Sequence, residues 1–407
     1  MLSLALPFRN LLRQRGRASL AVASLAGGVI ALLMAGGFME WIFWAMRVAT
    51  IESRLGNVQV VRAGYTQSGL ADPYAYLLPD HSAELTYLER LPQVRVVAPR
   101  LNFSGLVSHG DQTVSFIGEG VEPTRETALS SWLRVTAGRS LAEGADEVFM
   151  GEGLAASLGV RPGDSVVLLA TPQGGGMQAV EVRICGLFYS ATKAYDDAAL
   201  RVPLALAQKL LRTHGAHQWV VLLKNTDDTE AVVKALRARY RQSGAGFEVL
   251  PWYDLADSYK KTVTLFSRQM RVLWLMIALV IVLGISTVLI RGVIERTGEI
   301  GTLLALGMRR RQVLGLFMME GALLGLIGAT LGVLIGLLLA WGISALGGIP
   351  MPPPPGMNRG FTGQILITLP LLAQAVALAL GTALLASVYP AFKASRMNIV
   401  DALRHHR

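Results

Sequence analysis

Four apolar runs, each long enough to cross a bilayer, limit what this 407-residue chain can fold into. Crossing takes roughly 20 residues of helix, because hydrocarbon gives an unpaired peptide group nothing to bond. The runs cover residues 18–39, 272–290, 312–346 (interrupted by one acid, Glu320) and 361–389. Charge is sorted around them. The chain holds 38 Lys and Arg against 28 Asp and Glu, a net +10. Residues 47–270 carry 23 of each sign, so the whole excess flanks the apolar runs. The positive-inside rule predicts this distribution, so the basic balance reads as membrane topology rather than nucleic-acid binding.

The same rule orients the chain. Arg9, Arg13, Arg15 and Arg17 precede the first span and place residues 1–17 in the cytoplasm. Their alternation with Leu4, Leu6, Phe8, Leu11 and Leu12 reads as an amphipathic elbow on the membrane surface. The first span, 18–46, is too long for a signal-peptide core and reads as an uncleaved anchor. Residues 47–256 are then exported, and 257–290 form a stalk and the second span. Arg291, Arg296 and Arg309–Arg311 bring 291–311 back inside; 312–346 and 361–389 are the third and fourth spans. The proline-rich loop 347–360, with Arg359 alone, is outside, and the basic tail 390–407 is inside. The expectation is an α-helical protein of the bacterial inner membrane with four transmembrane helices. A large mixed α/β periplasmic domain is inserted between the first and second.

Within that domain, β-rich runs fall at 57–62, 95–98, 113–117, 165–170, 180–187 and 219–224. Helical spacing falls at 83–91, 153–158, 204–212 and 228–241, the last capped by Asp227 or Asp228 and striped by Val232, Leu236 and Tyr240. Glycine and short strands set 100–200 apart as an inner lobe, with 47–99 and 200–270 pairing as the other. Thr171–Gly176 reads as a hairpin tip.

No motif for chemistry appears. The sequence contains no G-x-x-x-x-G-K-[ST], G-x-S-x-G, H-E-x-x-H or C-x-x-C. Cys185 reads as a core thiol, His214 and His217 as an ordinary loop rather than a zinc site, and Asp196-Asp197 as a solvated turn. The catalytic, cofactor and metal sites expected of this polypeptide are therefore none.

The membrane half carries more signal. Gly321 and Gly325, then Gly328, Gly332 and Gly336, recur every four residues, the spacing that lets helix backbones approach. They serve packing within the subunit or a seam between subunits; spacing alone does not separate the two. Glu320 is an intramembrane acid, for which the simplest role is structural, against helix ends or an arginine near the inner face. Residues 291–307 mix charge with Ile294, Ile300, Leu303, Leu304 and Leu306. They read as a short amphipathic helix ending at Gly307, with Glu295 and Glu299 on one face.

Several of these segments together resemble the FtsX-like ABC-transporter permeases. Glu295-Arg-Thr-Gly-Glu-Ile-Gly-x3-Ala-Leu-Gly307 is similar to their coupling loop, and Phe8-Arg-Asn-Leu-Leu-Arg to their elbow. Tyr389-Pro-Ala-Phe-Lys-Ala-Ser-Arg is similar to their tail. Val148-Phe-Met-Gly-Glu-Gly-Leu-Ala, continuing to Pro162-Gly-Asp164, resembles the MacB-like periplasmic core. Asn57-Val-Gln-Val and the proline-rich loop resemble the lipoprotein-releasing LolC/LolE group. The resemblance implies a permease dimer, of identical or paired subunits, driven by two copies of a separate ATPase that holds ATP and Mg. Glu295, Arg296, Glu299, Ile300, Gly301, Leu304 and Gly307 would form the ATPase-coupling element. Lipoprotein cargo, a periplasmic chaperone or adaptor, and membrane lipids are the further partners it implies; nucleic acid is not one. MacB-like peptide or drug efflux is the alternative, and a non-transporting regulator of a cell-wall hydrolase a further one that the large exported domain disfavours.

Overall fold

The computed structural model describes residues 15–69, 71–190, 192–352 and 360–397. The elbow as far as residue 14, the prolines at 353–355 and the tail from 398 lie outside these.

Helix α1 runs Arg15–Thr50 and tightens into a π-type segment, Ile51–Leu55. Gly56 ends it at φ +64, where a Cβ would press on the Val221 carbonyl. The chain then enters a mixed sheet. In order, the elements are β1 (Val58–Arg62), α2 (Ala83–Arg90), β2 (Val94–His109), β3 (Gln112–Val121), α3 (Pro123–Leu129), β4 (Arg134–Gly138), β5 (Glu147–Gly151), α4 (Glu152–Leu158), β6 (Ser165–Ala170), β7 (Gln178–Tyr189), β8 (Ala199–Pro203), α5 (Leu204–Leu211), β9 (Gln218–Leu223), α6 (Thr229–Ser243) and β10 (Phe247–Pro251).

The sheet order is β10-β1-β9-β2-β3-β8-β5-β7-β4, with β6 bonded to β2 and β7. The β3–β8 and β5–β7 pairs are parallel and the rest antiparallel. Each β-rich run and helical stretch read from the sequence lies on one of these elements. The segment after β6 turns directly back into β7, as a hairpin tip should. The long β2 organises the sheet: its first half pairs with β9 and its second with β3 and β6. One core, with Leu101, Phe116, Leu168 and Val202, lies toward the second half; another, with Val60, Trp219, Leu236 and Tyr240, lies toward the first. The domain therefore has two cores along one continuous sheet.

Two local expectations need correction. Asp228 takes a helical backbone and makes no cap; instead the Thr229 hydroxyl donates to the Thr226 carbonyl. Asp196 is not solvated. It is buried and accepts the Ser190 backbone N–H at 2.9 Å, fixing the turn after β7.

A charge network at the middle of β2 is the domain's main buried polar feature. Arg100 donates to both carboxylate oxygens of Glu126, at 3.1 and 2.6 Å. Arg201 donates to Glu119 at 3.0 Å and lies 3.0 Å from Glu126. The same guanidinium groups reach back to the carbonyls of Ser53 and Arg54 in the π-type segment. Four buried charged residues from β2, β3, α3 and β8 thereby grip the five residues that follow α1. Burial alone would raise the Glu119 carboxyl, but Arg201, Arg100 and Arg54 outweigh it and hold it down to about 2. Glu126 is lowered for the same reason, its attraction to Arg100 and Arg201 exceeding its burial penalty.

The elements that follow are four helices and a short pair of strands. They are α7 (Asp257–Glu295), α8 (Thr297–Ala305), α9 (Arg310–Ala345), the strands β11 (Ile349–Met351) and β12 (Phe361–Gly363), and α10 (Leu369–Ser395). Helices α1, α7, α9 and α10 are long and apolar enough to cross a membrane. Residues 361–368, read as the start of the fourth span, are not helical. Phe361 to Gly363 pair with 349–351, Phe361 stacks on Trp41 at 5.7 Å, and the Leu366 N–H bonds the Gly37 carbonyl. The helix begins only where Thr368 accepts the Leu371 N–H and Pro370 supplies the first-turn geometry.

The charge network makes the domain sensitive to acid. The folded Glu119 carboxyl is depressed to about 2 from an ordinary 4.5, so its contribution is complete above pH 4.5 and is lost as pH falls toward 2. Tryptophan fluorescence of the chain in detergent, followed from pH 7 to 2, should show this loss, and Glu119→Gln should flatten it. Identical titrations for the two proteins would reject the assignment. Glu126→Ala, which takes from the buried Arg100 guanidinium the carboxylate it bonds, should cost about 3–5 kcal/mol in urea unfolding.

Candidate functional site

The 291–311 segment is a helix–turn–helix–turn unit whose bends have identifiable causes. The Thr297 hydroxyl donates back to the carbonyls of Val293 and Ile294, and Arg296 sits at φ −97, ψ 15. The backbone leaves helical geometry at Arg296, which separates α7 from α8. Glu295 therefore closes α7, while Glu299 lies in the first turn of α8, where a carboxylate favours the helix dipole. The two acids are exposed but do not share one continuous helix, a departure from the single face expected of them. At the other end Gly307 takes φ +96. Its N–H bonds the Leu304 carbonyl and that of Met308 bonds Leu303, a Schellman termination. Gln312 then accepts the Arg309 N–H at 2.8 Å and starts α9.

These turns divide the five apolar residues of the segment. Ile300 and Gly301 are buried and Leu304 is partly so, against Val293 of α7, Val313, Leu316 and Phe317 of α9, and Ala391 and Ala394 of α10. The small residues of the Pro390-Ala391 tail motif allow α10 this close. Ile294, Leu303 and Leu306 face outward, Leu306 with 81% of its surface exposed. Hydropathy groups all five together; the helix neighbours separate them.

Beside this cluster, Arg296 and Glu320 are both buried, with Arg296 Nη1 3.6 Å from Glu320 Oε1. The arginine comes from the connecting segment rather than from another span. Sequence reading set Glu320 against helix ends or an arginine near the inner face without naming Arg296 as that arginine.

The glycine row on α9 faces partners within the same chain. A Cβ on Gly321 would overlap the Ser387 hydroxyl, and one on Gly325 would lie 2.8 Å from the Ala383 Cβ, both on α10. On Gly328, Gly332 and Gly336 it would lie 2.9, 2.7 and 2.9 Å from atoms of Leu25, Val29 and Leu33 on α1. The choice left open by spacing falls to packing within the subunit.

The remaining sites singled out in the sequence are structural. His217 accepts the Asn102 N–H, contacts the Pro73 carbonyl, and is pushed by burial down to about 4. Cys185 is buried against Val148, and burial pushes its thiol up to about 11. Among the described residues no group of three or more His, Cys, Asp or Glu is placed to hold a metal.

The described chain thus has four helices long and apolar enough to cross a membrane, an α/β domain and a short helix held between two turns. Comparison with known families gives it a place. The MacB-like periplasmic core domain matches residues 18–239, more than half of the chain, and the FtsX-like permease C-terminal matches 271–399. The chain belongs to the FtsX-like, MacB-type permeases of ABC transporters. It is 26% identical over 344 residues to the lipoprotein-releasing system transmembrane protein LolC of Xylella fastidiosa, covering 77% of this chain and 78% of that one. It is 27% identical over 223 residues to the macrolide export ATP-binding/permease protein MacB of Syntrophobacter fumaroxidans, covering 53% of this chain and 28% of that one. The crystal structure of the periplasmic region of MacB from Actinobacillus actinomycetemcomitans overlaps 53% of this chain at 15% identity and a TM-score of 0.38.

The glycine contacts have a direct consequence. Gly332→Ile should overpack α9 against α1 and cost about 1–3 kcal/mol or more, read as loss of monodisperse protein in detergent on heating. Gly284→Ala, where a Cβ meets nothing within 4 Å, should behave as wild type.

Proposed function

We propose that this chain is the permease subunit of an ATP-driven transporter. A separate ATPase, in two copies holding ATP and Mg, docks on α8, and its closure is converted into rearrangement of the exported α/β domain. The observation that carries the reading is the division of α8. One side is locked into the helical unit by Ile300, while Leu303 and Leu306 stand exposed beside Glu299. A nine-residue helix fixed on one side and apolar on the other presents a docking ridge. Exposed Arg291, Arg309, Arg310 and Arg311 around it support a cytoplasmic position, with both termini inside and the α/β domain periplasmic, inserted between the first and second spans.

The permease works with a second permease subunit, identical or paired. Its cargo in this reading is a lipid-anchored protein drawn from the inner membrane and passed on outside. Support comes from the extent of similarity: the lipoprotein-releasing relative aligns over 77% of the chain, the macrolide-export one over 53%.

Affinity purification of the chain in detergent should recover an ABC ATPase and an acylated protein. Recovery of the ATPase with a soluble peptide instead would turn the reading to efflux, and absence of any ATPase would refute it. Leu303→Ser with Leu306→Ser should weaken ATPase association on the order of tenfold or more, because exposed apolar anchors dominate such contacts. The fold should be unaffected, since both side chains are exposed.

A further inference from the structure

We propose that Arg296 and Glu320 form the joint through which movement of α8 reaches α9, so that a push on α8 is delivered to α9, α10 and α1 together rather than along α7 alone. This rests on the permease reading above.

The covalent routes out of α8 are both bends. Toward α7 the helix is broken at Arg296, and toward α9 it ends in the Schellman turn at Gly307. A bend absorbs displacement by rotating, so neither route is stiff. What holds α8 against α9 is the packing of Ile300 on Val313, Leu316 and Phe317, together with the ion pair. Apolar side chains slide past one another at little cost, whereas a buried charge separated from its partner is left in a medium that does not solvate it. The pair is therefore the element that resists slippage. Its geometry is a single point: one guanidinium nitrogen lies 3.6 Å from one carboxylate oxygen, and Glu320 Oε2 has no hydrogen-bond partner. Such a contact allows α8 to tilt about it while its position along α9 stays fixed.

Where Glu320 lies on α9 decides what moves. The next residue, Gly321, is in contact with Ser387 of α10, and Gly325 with Ala383. About one to three turns beyond Gly325, Gly328, Gly332 and Gly336 receive Leu25, Val29 and Leu33 of α1. Close contact at glycine leaves no side-chain layer to shear, so displacement of Glu320 carries the three helices as a block. Arg296 and Glu320 are thus positioning residues that touch neither nucleotide nor cargo.

The test uses the full chain in complex with its co-purified ATPase in lipid nanodiscs. ATP with vanadate is the probe, and hydrogen exchange over residues 45–261 the readout, measured beside ATP hydrolysis. Glu320→Gln removes the charge. Arg296→Met with Glu320→Leu removes the pair while burying no charge, and carries the test where the single variant does not fold. Glu320→Gln should keep ATPase association and hydrolysis within about twofold, and in both variants the vanadate-induced exchange change per ATPase bound should fall on the order of fivefold or more. Arg296→Glu with Glu320→Arg should restore most of it. An exchange response like that of wild type in the first two variants overturns the proposal. So does a parallel fall of association, hydrolysis and response, or failure of both variants to fold, since the pair would then only hold the fold. If the wild-type chain recovers no ATPase, the permease reading and this joint fall together; if it does and the variants respond normally, only the joint falls.

Discussion

The missing Cβ at five positions along α9 sets where the other membrane helices lie. Two of these glycines admit α10 and three admit α1, at distances a methyl group would forbid. Without a hydrophobic drive between helices already in lipid, such contacts are the attraction available, since dispersion falls steeply with separation. The contacts also recur on α1 itself, where a Cβ on Gly28 would overlap Ile281 of α7. The Ser286 hydroxyl on α7 donates to the Ala386 carbonyl on α10 at 2.9 Å. Helix α9 is the spine, and its other faces carry large apolar side chains such as Leu326, Leu334, Leu338 and Trp341 that remain exposed.

The α/β domain solves a different problem, that of fixing the segment after α1 to a sheet. An apolar contact would hold it in place without holding its direction. Here Ile51 is buried beside Leu129, Val220 and Trp252, and the Arg100 and Arg201 guanidinium groups add directional bonds to the carbonyls of Ser53 and Arg54. Both arginines are almost wholly buried, Arg201 bonded to Glu119 and Arg100 to Glu126. The desolvation of four charges is offset only because each carboxylate accepts several bonds and each guanidinium uses its fork.

Much of the sheet was legible in the sequence because alternation and β-branched runs report a local property. Strands β1, β6, β7 and β9 and helix α6 declare themselves within windows of fewer than about 20 residues. The charge network did not, because its members at 54, 100, 119, 126 and 201 are scattered, and an Arg or Glu within a strand reads as solvent-facing. Residues 361–368 were misassigned because a hydropathy window averages over Thr368 and Pro370, the residues that start the helix. Glu320 was expected against helix ends or an arginine near the inner face, but which arginine was not legible, because Arg296 enters from a connecting segment whose path the sequence does not show. The inward and outward residues of α8 were merged for a related reason. Period identifies a helix, but which of its apolar residues are covered depends on neighbours far along the chain.

The segment 291–307 can be resolved residue by residue into constraints on one short helix. The Thr297 hydroxyl bonds the last carbonyls of the preceding helix, and Arg296, at the break, turns in toward Glu320. Ile300 fills the gap between α9 and α10, and the alanines of the Pro390 segment are small enough to leave that gap open. Gly307 closes the helix in a conformation that a side chain would strain. What the motif leaves unconstrained, Thr302, Leu303 and Leu306, is the exposed side. A docking surface needs that combination: residues held from behind strongly enough to receive a load, and a front free to change with the partner it meets.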